Sequence, residues 1–375
     1  MSRVEHVLVV GAGISGMVLA TALKKAGKSA ELIEIQPESD VLGVGISIQG
    51  PALRALCSIG LIDRCVRDGF GYSQVVNCDE NGNVEGIVDL PRLNGPLYPA
   101  CVGMMRPALH RILAEALSEA GVPVRFGATV SSLRQSPDHV RVVFSDGSER
   151  QYDLVVGTDG ASSRVRELLF GPQFKAEYTG QAVWRAVVPR PEGVDARHAY
   201  YGPRHKAGFN PVSAGEMYIY LVQNVAGDPR LEPEQWPGVL RDLLADFGGR
   251  IREACDHIVD PKQIVYRPVG SLLLPPPWYK GRVVVIGDAA HTAPPQLASG
   301  ATIAIEDSIV LAGLVQSGLR VAAALEEFMA RRYERCRMVV ENSRQLGEWE
   351  KVPDTRGADP TALIDASMKA LAAPI

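Results

Sequence analysis

The sequence contains little cysteine, no excess of positive charge and no long apolar run. Six cysteines occur in 375 residues, and no two of them have the CxxC spacing of a metal or redox site. We therefore expect reduced thiols, a cytoplasmic setting and no bound metal. Lys and Arg number 39 against 43 Asp and Glu, giving a net charge of −4, which argues against a nucleic-acid partner.

Apolar segments are short as well. The run Val7–Val10 ends at Gly11 and is too short for a signal peptide, and the most apolar region, Ala301–Val315, contains Glu306 and Asp307. Because a transmembrane helix needs about 20 apolar residues, we expect no membrane partner. With 46% hydrophobic and 22% charged residues, the composition is that of a globular protein of about two domains.

Strand and helix patterns alternate at the start of the chain and predict an α/β fold. His6–Val10 has the pattern of a buried strand, residues 14–26 that of a helix, and Ser29–Ile35 that of a second strand. Such a βαβ unit belongs to a parallel sheet. The segment 122–144 predicts an antiparallel meander inserted into this framework.

A different pattern occupies the segment Tyr178–Pro268. Strand-like runs such as Ala182–Val188 and Met217–Gln223 are separated by Pro, Gly and His, and one helix is expected near Pro237–Phe247. We therefore predict an inserted domain built on an antiparallel sheet. The tail after Pro353 is expected to be weakly structured.

A glycine-rich motif connects the first predicted strand to the first helix. In Gly11-Ala12-Gly13-Ile14-Ser15-Gly16, the glycines permit a tight turn and the approach of a pyrophosphate to the helix N-terminus. Glu34, at the end of the second strand, is placed to accept hydrogen bonds from a ribose 2′-hydroxyl. The motif therefore predicts an adenine dinucleotide with a free 2′-hydroxyl, either FAD or NAD.

Two more acidic turns follow buried strands. Asp159-Gly160 comes after Leu154–Gly157, and Gly287-Asp288 comes after Val283–Ile286. Ligands of α/β sheets bind at the carboxyl ends of strands, although Asp-Gly turns and Asp helix caps are also common without a ligand. Together with the glycine motif, these turns predict one shared ligand site.

The three motifs, in this order and spacing, resemble those of the single-component FAD-dependent aromatic hydroxylases, the family of p-hydroxybenzoate hydroxylase and salicylate hydroxylase. The resemblance covers roughly residues 5–345. It implies FAD as the cofactor and NADH or NADPH as a transient reductant.

The resemblance also implies a domain division. The fold is expected to be α/β, with a Rossmann-like FAD-binding domain and an inserted antiparallel-sheet substrate domain. Residues 1–72, 98–173 and 268–350 would form the FAD-binding domain, and residues 73–97 and 174–267 the substrate domain. Residues 351–375 would be a C-terminal tail.

Arg106 precedes the predicted helix Pro107–Ala120, where a cation opposes the helix dipole, so an anionic partner such as pyrophosphate is expected nearby. The sequence departs from the family pattern Pro-x-x-Gly-x-Gly-x-Asn, since Ala298 and Thr302 stand in place of a Gly and the Asn. The FAD contacts that the resemblance implies are Gly11, Ala12, Gly13, Ile14, Ser15, Gly16, Glu34, Gly45, Ile46, Arg106, Val130, Asp159, Gly160, Gly287, Asp288, Ser299, Gly300, Ala301 and Thr302.

The resemblance implies a monooxygenase in which reduced FAD reacts with O2 to give a C4a-hydroperoxide, and a small aromatic or heteroaromatic substrate receives one oxygen atom. A phenol reacts best as a phenolate, so a base or a polarising donor should meet its oxygen. We expect Tyr218 to orient the substrate or relay a proton, and Lys206 or His205 to bind an anionic group, although strand tyrosines often only pack. Further substrate contacts are expected from Phe209, Tyr220, Arg185 and Pro295.

Other functions stay open at this point. The same fold serves flavin-dependent epoxidases, N-hydroxylases and reductases. A more distant alternative is an NAD-dependent dehydrogenase, in which the second and third motifs would have no role. The sequence does not indicate the substrate, the choice between NADH and NADPH, or the oligomeric state.

Overall fold

The structure is a computed structural model that describes residues 4–38, 43–227, 231–352 and 357–375. The first strands are β1 (His6–Val10), β2 (Ser29–Ile33), β3 (Gly45–Gln49), β4 (Phe70–Tyr72), β5 (Gln74–Asp79), β6 (Val84–Asp89), β7 (Cys101–Met105), β8 (Val124–Arg125), β9 (Val130–Gln135) and β10 (Val140–Phe144). The remaining strands are β11 (Glu149–Tyr152), β12 (Leu154–Gly157), β13 (Glu177–Pro189), β14 (Arg197–Tyr201), β15 (Lys206–Pro211), β16 (Glu216–Asn224), β17 (Ile264–Ser271), β18 (Tyr279–Lys280) and β19 (Val283–Val285).

The α-helices are α1 (Ile14–Lys25), α2 (Gly50–Ser58), α3 (Ile62–Asp68), α4 (Arg106–Glu119), α5 (Arg164–Phe170), α6 (Trp236–Leu244), α7 (Gly249–Ala254), α8 (Gly300–Gln316), α9 (Val321–Lys351) and α10 (Pro360–Ala372). Short 3-10 turns occur at Pro233–Gln235, Cys255–His257, Pro261–Gln263, Gly287–Ala289 and Pro295–Leu297.

A six-stranded sheet forms the centre of the α/β part. Its order is β18-β19-β12-β1-β2-β8, and every neighbouring pair is parallel except β18 with β19. Strands β1, β12 and β19 are apolar nearly throughout, as expected where helices cover both faces of a parallel sheet. Helix α8 is buried nearly all round and packs against α1, α2 and α9. The predicted α/β class and βαβ unit are therefore confirmed.

A seven-stranded sheet, called the inserted sheet below, forms the second large layer. Its order is β17-β13-β16-β15-β14-β5-β6, and its pairs are antiparallel except for β14 with β5. The expected antiparallel sheet is thus present, with one parallel pair because β5 enters from an earlier part of the chain. One face buries Trp184 and Phe209 against α6 and α7. The opposite face contributes to the site described below.

Two three-stranded sheets complete the fold. The order β11-β10-β9 is antiparallel throughout, which confirms the predicted meander for β9 and β10. The prediction is wrong for the first strand of the segment, because β8 pairs parallel with β2 at the edge of the six-stranded sheet. The order β3-β7-β4 joins the two large sheets, and its strand β3 leads directly into α2. This arrangement places the N-terminal end of β3 beside the inserted sheet.

The expectation of a weakly structured tail is wrong for residues 360–372, which form α10. The Asp359 side chain caps this helix by accepting a hydrogen bond from the Ala362 amide at 2.8 Å. Arg54 donates to the Ala372 carbonyl oxygen at 2.9 Å, and Arg335 donates to the Ala370 carbonyl oxygen at 3.0 Å. The predicted starting point of the tail, Pro353, lies outside the described residues.

The sequence predicts reduced thiols and no membrane-spanning segment, and the structure offers one observation on each. All six cysteines are free thiols, and five of them are buried. Across the four described ranges, we find no helix with the length and apolar content that crossing a bilayer requires.

Candidate active site

The glycine motif forms a tight turn that is closed on one side and open on the other. Gly11 has φ of +107°, and a Cβ there would stand 2.7 Å from the Thr158 carbonyl oxygen. A Cβ on Gly16 would overlap the Gly11 carbonyl oxygen, so α1 packs closely on the turn. By contrast, no heavy atom of the residues that the structure describes lies within 4 Å of where a Cβ on Gly13 would be. Gly13 is the N-cap of α1 and has no side-chain cap, which leaves amide groups for an anionic ligand.

Glu34 lies beside this turn. Its Oε2 accepts a hydrogen bond from the Ala12 amide at 2.8 Å, and its Oε1 accepts one from the Gln36 amide at 2.9 Å. Strand β2 ends at Ile33, one residue earlier. The carboxylate is therefore fixed at the carboxyl end of β2, where the sequence predicts a ribose contact.

A long groove of about 510 Å³ begins at the glycine turn and runs past the three predicted motifs. The residues predicted to contact FAD that line it are Ala12, Gly13, Ile14, Ser15, Glu34, Gly45, Ile46, Arg106, Gly160, Asp288, Gly300 and Ala301. Additional lining residues that the sequence analysis missed include Gln36, Ser47, His110, Phe126, Thr158 and Ala304. The amide-rich turn, the carboxylate at one strand end and the groove's length fit an extended dinucleotide.

Arg106 supplies a cation to this groove. It is the first residue of α4, and its amide donates to the Val44 carbonyl oxygen at 3.2 Å. Burial lowers the pKa of its guanidinium, as does the neighbouring Arg185, whereas the carboxylate of Asp288 raises it. A cation held at a helix N-terminus and beside a second arginine favours an anionic ligand.

Four predicted FAD residues of the first two motifs and of β9 support the groove rather than line it. Asp159 caps α5, because its carboxylate accepts hydrogen bonds from the Ser163 hydroxyl and, at 3.0 Å, from the Val165 amide. Val130 is buried in the core on β9, where it pairs with Phe144 of β10. Gly11 and Gly16 shape the turn as described above.

Three more predicted FAD residues, Gly287, Ser299 and Thr302, also support the groove without lining it. Gly287 adopts φ of +60°, and a Cβ there would stand 3.2 Å from the Ser15 hydroxyl. The Ser299 hydroxyl donates to Gln49 Oε1 at 2.9 Å. The Thr302 hydroxyl, at the position where the family pattern has Asn, is buried and has no hydrogen-bond partner among the residues that the structure describes. Of this motif, Asp288 lines the groove itself.

A buried charge cluster holds the Gly287 turn from behind. Asp307 Oδ2 lies 2.6 Å from His291 Nε2 and accepts the Gly287 amide at 3.0 Å, while Oδ1 accepts from Arg332 Nε at 2.7 Å. Burial disfavours the charged form of His291, but Cys336 and Asp307 raise its pKa well above the usual value. Ligand atoms of His291, Asp307 and Cys336 lie within 4.8 Å of one another. Because the Arg332 guanidinium already pairs with this carboxylate, the cluster is arranged as an ion-pair network.

A second cavity lies between the groove and the inserted sheet. Its lining residues are Ser47, Val183, Arg185, Arg197, Lys206, Asn210, Tyr218, Tyr220, Val222, Pro295, Gln296, Ala298 and Glu350. The groove and the cavity share Ser47, Arg185, Tyr218, Pro295 and Ala298. A ligand in the cavity therefore adjoins a ligand in the groove. Among the substrate contacts expected from the sequence, the cavity brings together Tyr218, Lys206, Tyr220, Arg185 and Pro295.

Two predicted site residues, Phe209 and His205, lie outside the cavity, and strand alternation is the reason for Phe209. Successive side chains of a strand point to opposite faces, so Lys206 and Asn210 face the cavity while Phe209 faces the second core. The Phe209 ring is fully buried and stacks on His198 at 4.5 Å between ring centroids. His205 precedes β15 and does not line the cavity. Burial, together with the charge of Arg204, lowers its pKa.

Three of the polar cavity residues that the sequence analysis missed carry atoms without a hydrogen-bond partner among the described residues. Arg197 Nε, Asn210 Oδ1 and Gln296 Oε1 are buried atoms without a hydrogen-bond partner in the described ranges. The hydroxyl of Tyr220, which also lines the cavity, is a fourth such atom among the described residues. An unsatisfied buried polar group is costly, so four such atoms in one cavity indicate a polar ligand. Gln296 lies two residues before Ala298, in the segment compared with the family pattern, and the alternation of β14 and β15 is the signal that could have located the other two.

The comparisons with known proteins agree with this geometry. A family model described as an FAD binding domain matches residues 5–343. The chain is 33% identical over 353 residues to the 2-heptyl-3-hydroxy-4(1H)-quinolone synthase of Pseudomonas aeruginosa, with 92% of this chain and 90% of the relative covered. It is 29% identical over 353 residues to the 6-hydroxynicotinate 3-monooxygenase of Bordetella bronchiseptica, with 90% of each covered.

A solved structure shows the same fold. The crystal structure of Klebsiella pneumoniae HpxO complexed with FAD and uric acid superposes with a TM-score of 0.85 at 24% identity, covering 98% of this chain and 92% of that one. The site and the fold define a flavoprotein with FAD as its cofactor. The chain belongs to the FAD binding domain family, whose relatives here are FAD-dependent monooxygenases. The resemblance seen in the motifs is confirmed.

Proposed function

We propose that this protein uses NADH or NADPH and O2 to hydroxylate a small aromatic or heteroaromatic substrate. The observation that carries the proposal is the junction of the FAD groove and the polar cavity at shared residues, among them Arg185 and Tyr218. A monooxygenase needs its substrate directly beside the flavin, and this junction supports that arrangement. Relatives named for hydroxynicotinate and urate hydroxylation are consistent with it.

In this proposal the β1–α1–β2 segment acts as a Rossmann-like unit that holds the cofactor. The backbone amides at the start of α1, beside Gly13, and the Arg106 guanidinium would bind phosphate oxygens. Glu34 would bind the adenosine ribose, and Asp288 would bind the hydroxyls of the chain that links the phosphates to the flavin ring. When bound, FAD supplies electron transfer from the nicotinamide and the activation of O2. The protein contributes position and electrostatics.

Tyr218 is the residue that we assign to substrate orientation or proton relay. It lies on β16 between the groove and the cavity, and its side chain is buried. A hydroxyl at this junction can donate to a substrate oxygen or accept a proton from it, which activates the ring toward an electrophilic oxygen. The surrounding sheet and the segment 294–298 would limit the access of water to the bound substrate, which favours oxygen transfer to the ring over its loss as hydrogen peroxide.

The test is a coupled assay with isotope labelling. FAD-loaded protein is mixed with NADH or NADPH and a panel of hydroxylated aromatic and heteroaromatic acids, and reductant consumption is followed. We expect at least one compound to stimulate consumption and to yield a product that carries one atom of ¹⁸O from ¹⁸O2. Stimulated consumption that yields only hydrogen peroxide, or oxygen taken from labelled water, would contradict the proposal.

Product structure also separates the other reactions of this fold. If the product is an epoxide, an N-oxygenated compound or a reduced compound instead of a ring-hydroxylated one, the reaction is epoxidation, N-hydroxylation or reduction, and the proposed hydroxylation is wrong. NAD bound stoichiometrically in place of flavin would indicate the dehydrogenase instead.

A further inference from the structure

The end of the longest helix reaches into the substrate cavity. Helix α9 runs for 31 residues, from the α/β part to Lys351, and Glu350 lies in its last turn. The Glu350 carboxylate lines the cavity, and 22% of its side-chain surface is exposed. Its backbone carbonyl oxygen accepts a hydrogen bond from Asn224 Nδ2 at 3.1 Å, which fixes this turn against β16.

The carboxylate is held between a lysine and an amide. Lys206 Nζ lies 3.4 Å from Glu350 Oε1, and Gln296 Nε2 donates to Glu350 Oε2 at 3.0 Å. Burial opposes the charge of Lys206, but Glu350 raises its pKa above the usual value. The ammonium group is therefore charged and partly neutralised by its partner.

The remaining charges of the cavity are positive. Among the lining residues that the structure describes, Arg185, Arg197 and Lys206 face one carboxylate, that of Glu350, which leaves an excess of two positive charges. Arg197 Nε is buried without a hydrogen-bond partner in the described ranges, whereas Lys206 already has one. Arg185 also lines the FAD groove, so its charge is shared with that site. Charge interactions are strong in such a poorly solvated site, so Arg197 is the cation confined to the cavity that is left to receive an anionic group.

An acceptor is available near the carboxylate. Gln296 Nε2 also donates to Gln181 Oε1 at 2.8 Å, which fixes the orientation of the Gln296 amide. Its Oε1 is then left as a buried acceptor with no partner among the described residues. A ligand that satisfies both groups carries an anion for Arg197 and an N–H or O–H donor for Gln296.

We propose that Glu350 is a specificity-determining residue. By neutralising Lys206, it limits how strongly the cavity prefers an anionic ligand to a neutral one. Arg197 is then left to bind one anionic group. The substrate class is then a ring with one negative charge and at least one hydrogen-bond donor. This inference rests on the proposed function for its biological meaning. The binding preference itself can be measured without turnover.

The experiment uses two ligands of nearly the same size and shape, one with a carboxylate and one with an uncharged carboxamide. Dissociation constants of 6-hydroxynicotinate and its uncharged amide, 6-hydroxynicotinamide, are measured by calorimetry on the FAD-loaded protein. We expect the wild type to bind the acid at least tenfold more tightly than the amide. Glu350→Gln should raise this preference about tenfold further, because Lys206 loses its counter-charge, and Arg197→Gln should reduce it at least tenfold.

The matched control is Glu348→Gln. Glu348 lies two residues away on the same helix, pairs with Lys351 and has a side chain that is 62% exposed, so the same loss of charge should leave the preference within twofold of wild type. A merely structural role of Glu350 would weaken both ligands equally and leave their ratio unchanged. That result overturns the inference, as does an absence of binding by both ligands.

The two proposals fail separately. If the acid-to-amide ratios change as expected but no panel compound yields a product labelled from ¹⁸O2, the proposed hydroxylation fails while the role of Glu350 in selectivity stands. If labelled products form and the ratio is unaffected by Glu350→Gln, only the role of Glu350 is overturned.

Discussion

The ring of Tyr218 lies directly against the backbone of Gly45. A Cβ on Gly45 would overlap Cδ1 of that ring and would stand 2.9 Å from Val212 Cγ1. Gly45 begins β3 in the groove, whereas Tyr218 belongs to the inserted sheet. This contact is where the two parts of the site meet.

Gly45→Ala should therefore disturb the junction without straining the backbone. We expect a loss of about 1–3 kcal/mol in the free energy of unfolding, measured by urea denaturation, because the added methyl overpacks the contact. In a Tyr218→Ala background the same change should cost much less, since the opposing ring is gone.

Gly215→Ala is the control for this prediction. Gly215 lies in the turn before β16, and within the four described ranges no heavy atom is closer than 4 Å to where its Cβ would be. The substitution should therefore leave stability within about 0.5 kcal/mol of wild type. Equal costs of Gly45→Ala in the two backgrounds would show that the contact with Tyr218 is not the cause.

Tyr218→Phe should separate reductant consumption from hydroxylation. Phenylalanine retains the packing against Gly45 but removes the hydroxyl that we assign to substrate orientation or proton relay. Because acid–base groups contribute about 10²–10⁴-fold to rate, we expect product formation to fall by about 100-fold. FAD affinity should stay within twofold of wild type. Unchanged product yield per NAD(P)H would remove Tyr218 from the mechanism.

The buried pair of His291 and Asp307 predicts how stability depends on pH. The raised pKa of His291 means that its contribution is fully present below its unfolded pKa, near 6.5, and is lost as the pH rises toward the folded value. The apoprotein should lose up to about 1.4 kcal/mol per pH unit above pH 6.5.

Urea denaturation of the apoprotein between pH 6 and 9 measures this slope. His291→Gln should flatten it, even though the variant is less stable overall. A slope that is the same in the variant and the wild type would mean that other groups cause the pH dependence.

The parts of the fold that the sequence predicts depend on local rules. Gly11 needs a positive φ and Gly16 a close helix contact, so glycine at these positions indicates the turn directly. The buried strands β1, β12 and β19 are evident from uninterrupted apolar runs. Helix α10 was missed although its Asp359 cap and Pro360 mark a helix start in the sequence.

The substrate side of the site depends on long-range register instead. Whether Phe209 or Asn210 faces the cavity is decided by the pairing of β15 with β16, and a shift of one residue exchanges the two faces. Glu350 is 144 residues from Lys206 and reaches it only because α9 ends beside the inserted sheet. No local pattern indicates such a pair.

The central claim, that the groove beside the glycine turn holds FAD, is tested most directly by Gly13→Ala. Gly13 has φ of −73°, which alanine adopts freely, and a Cβ there would enter the open groove. We predict an unchanged urea midpoint for the apoprotein and FAD binding about 100-fold weaker, or about 2.8 kcal/mol, measured by flavin fluorescence titration. FAD binding within twofold of wild type would contradict the claim.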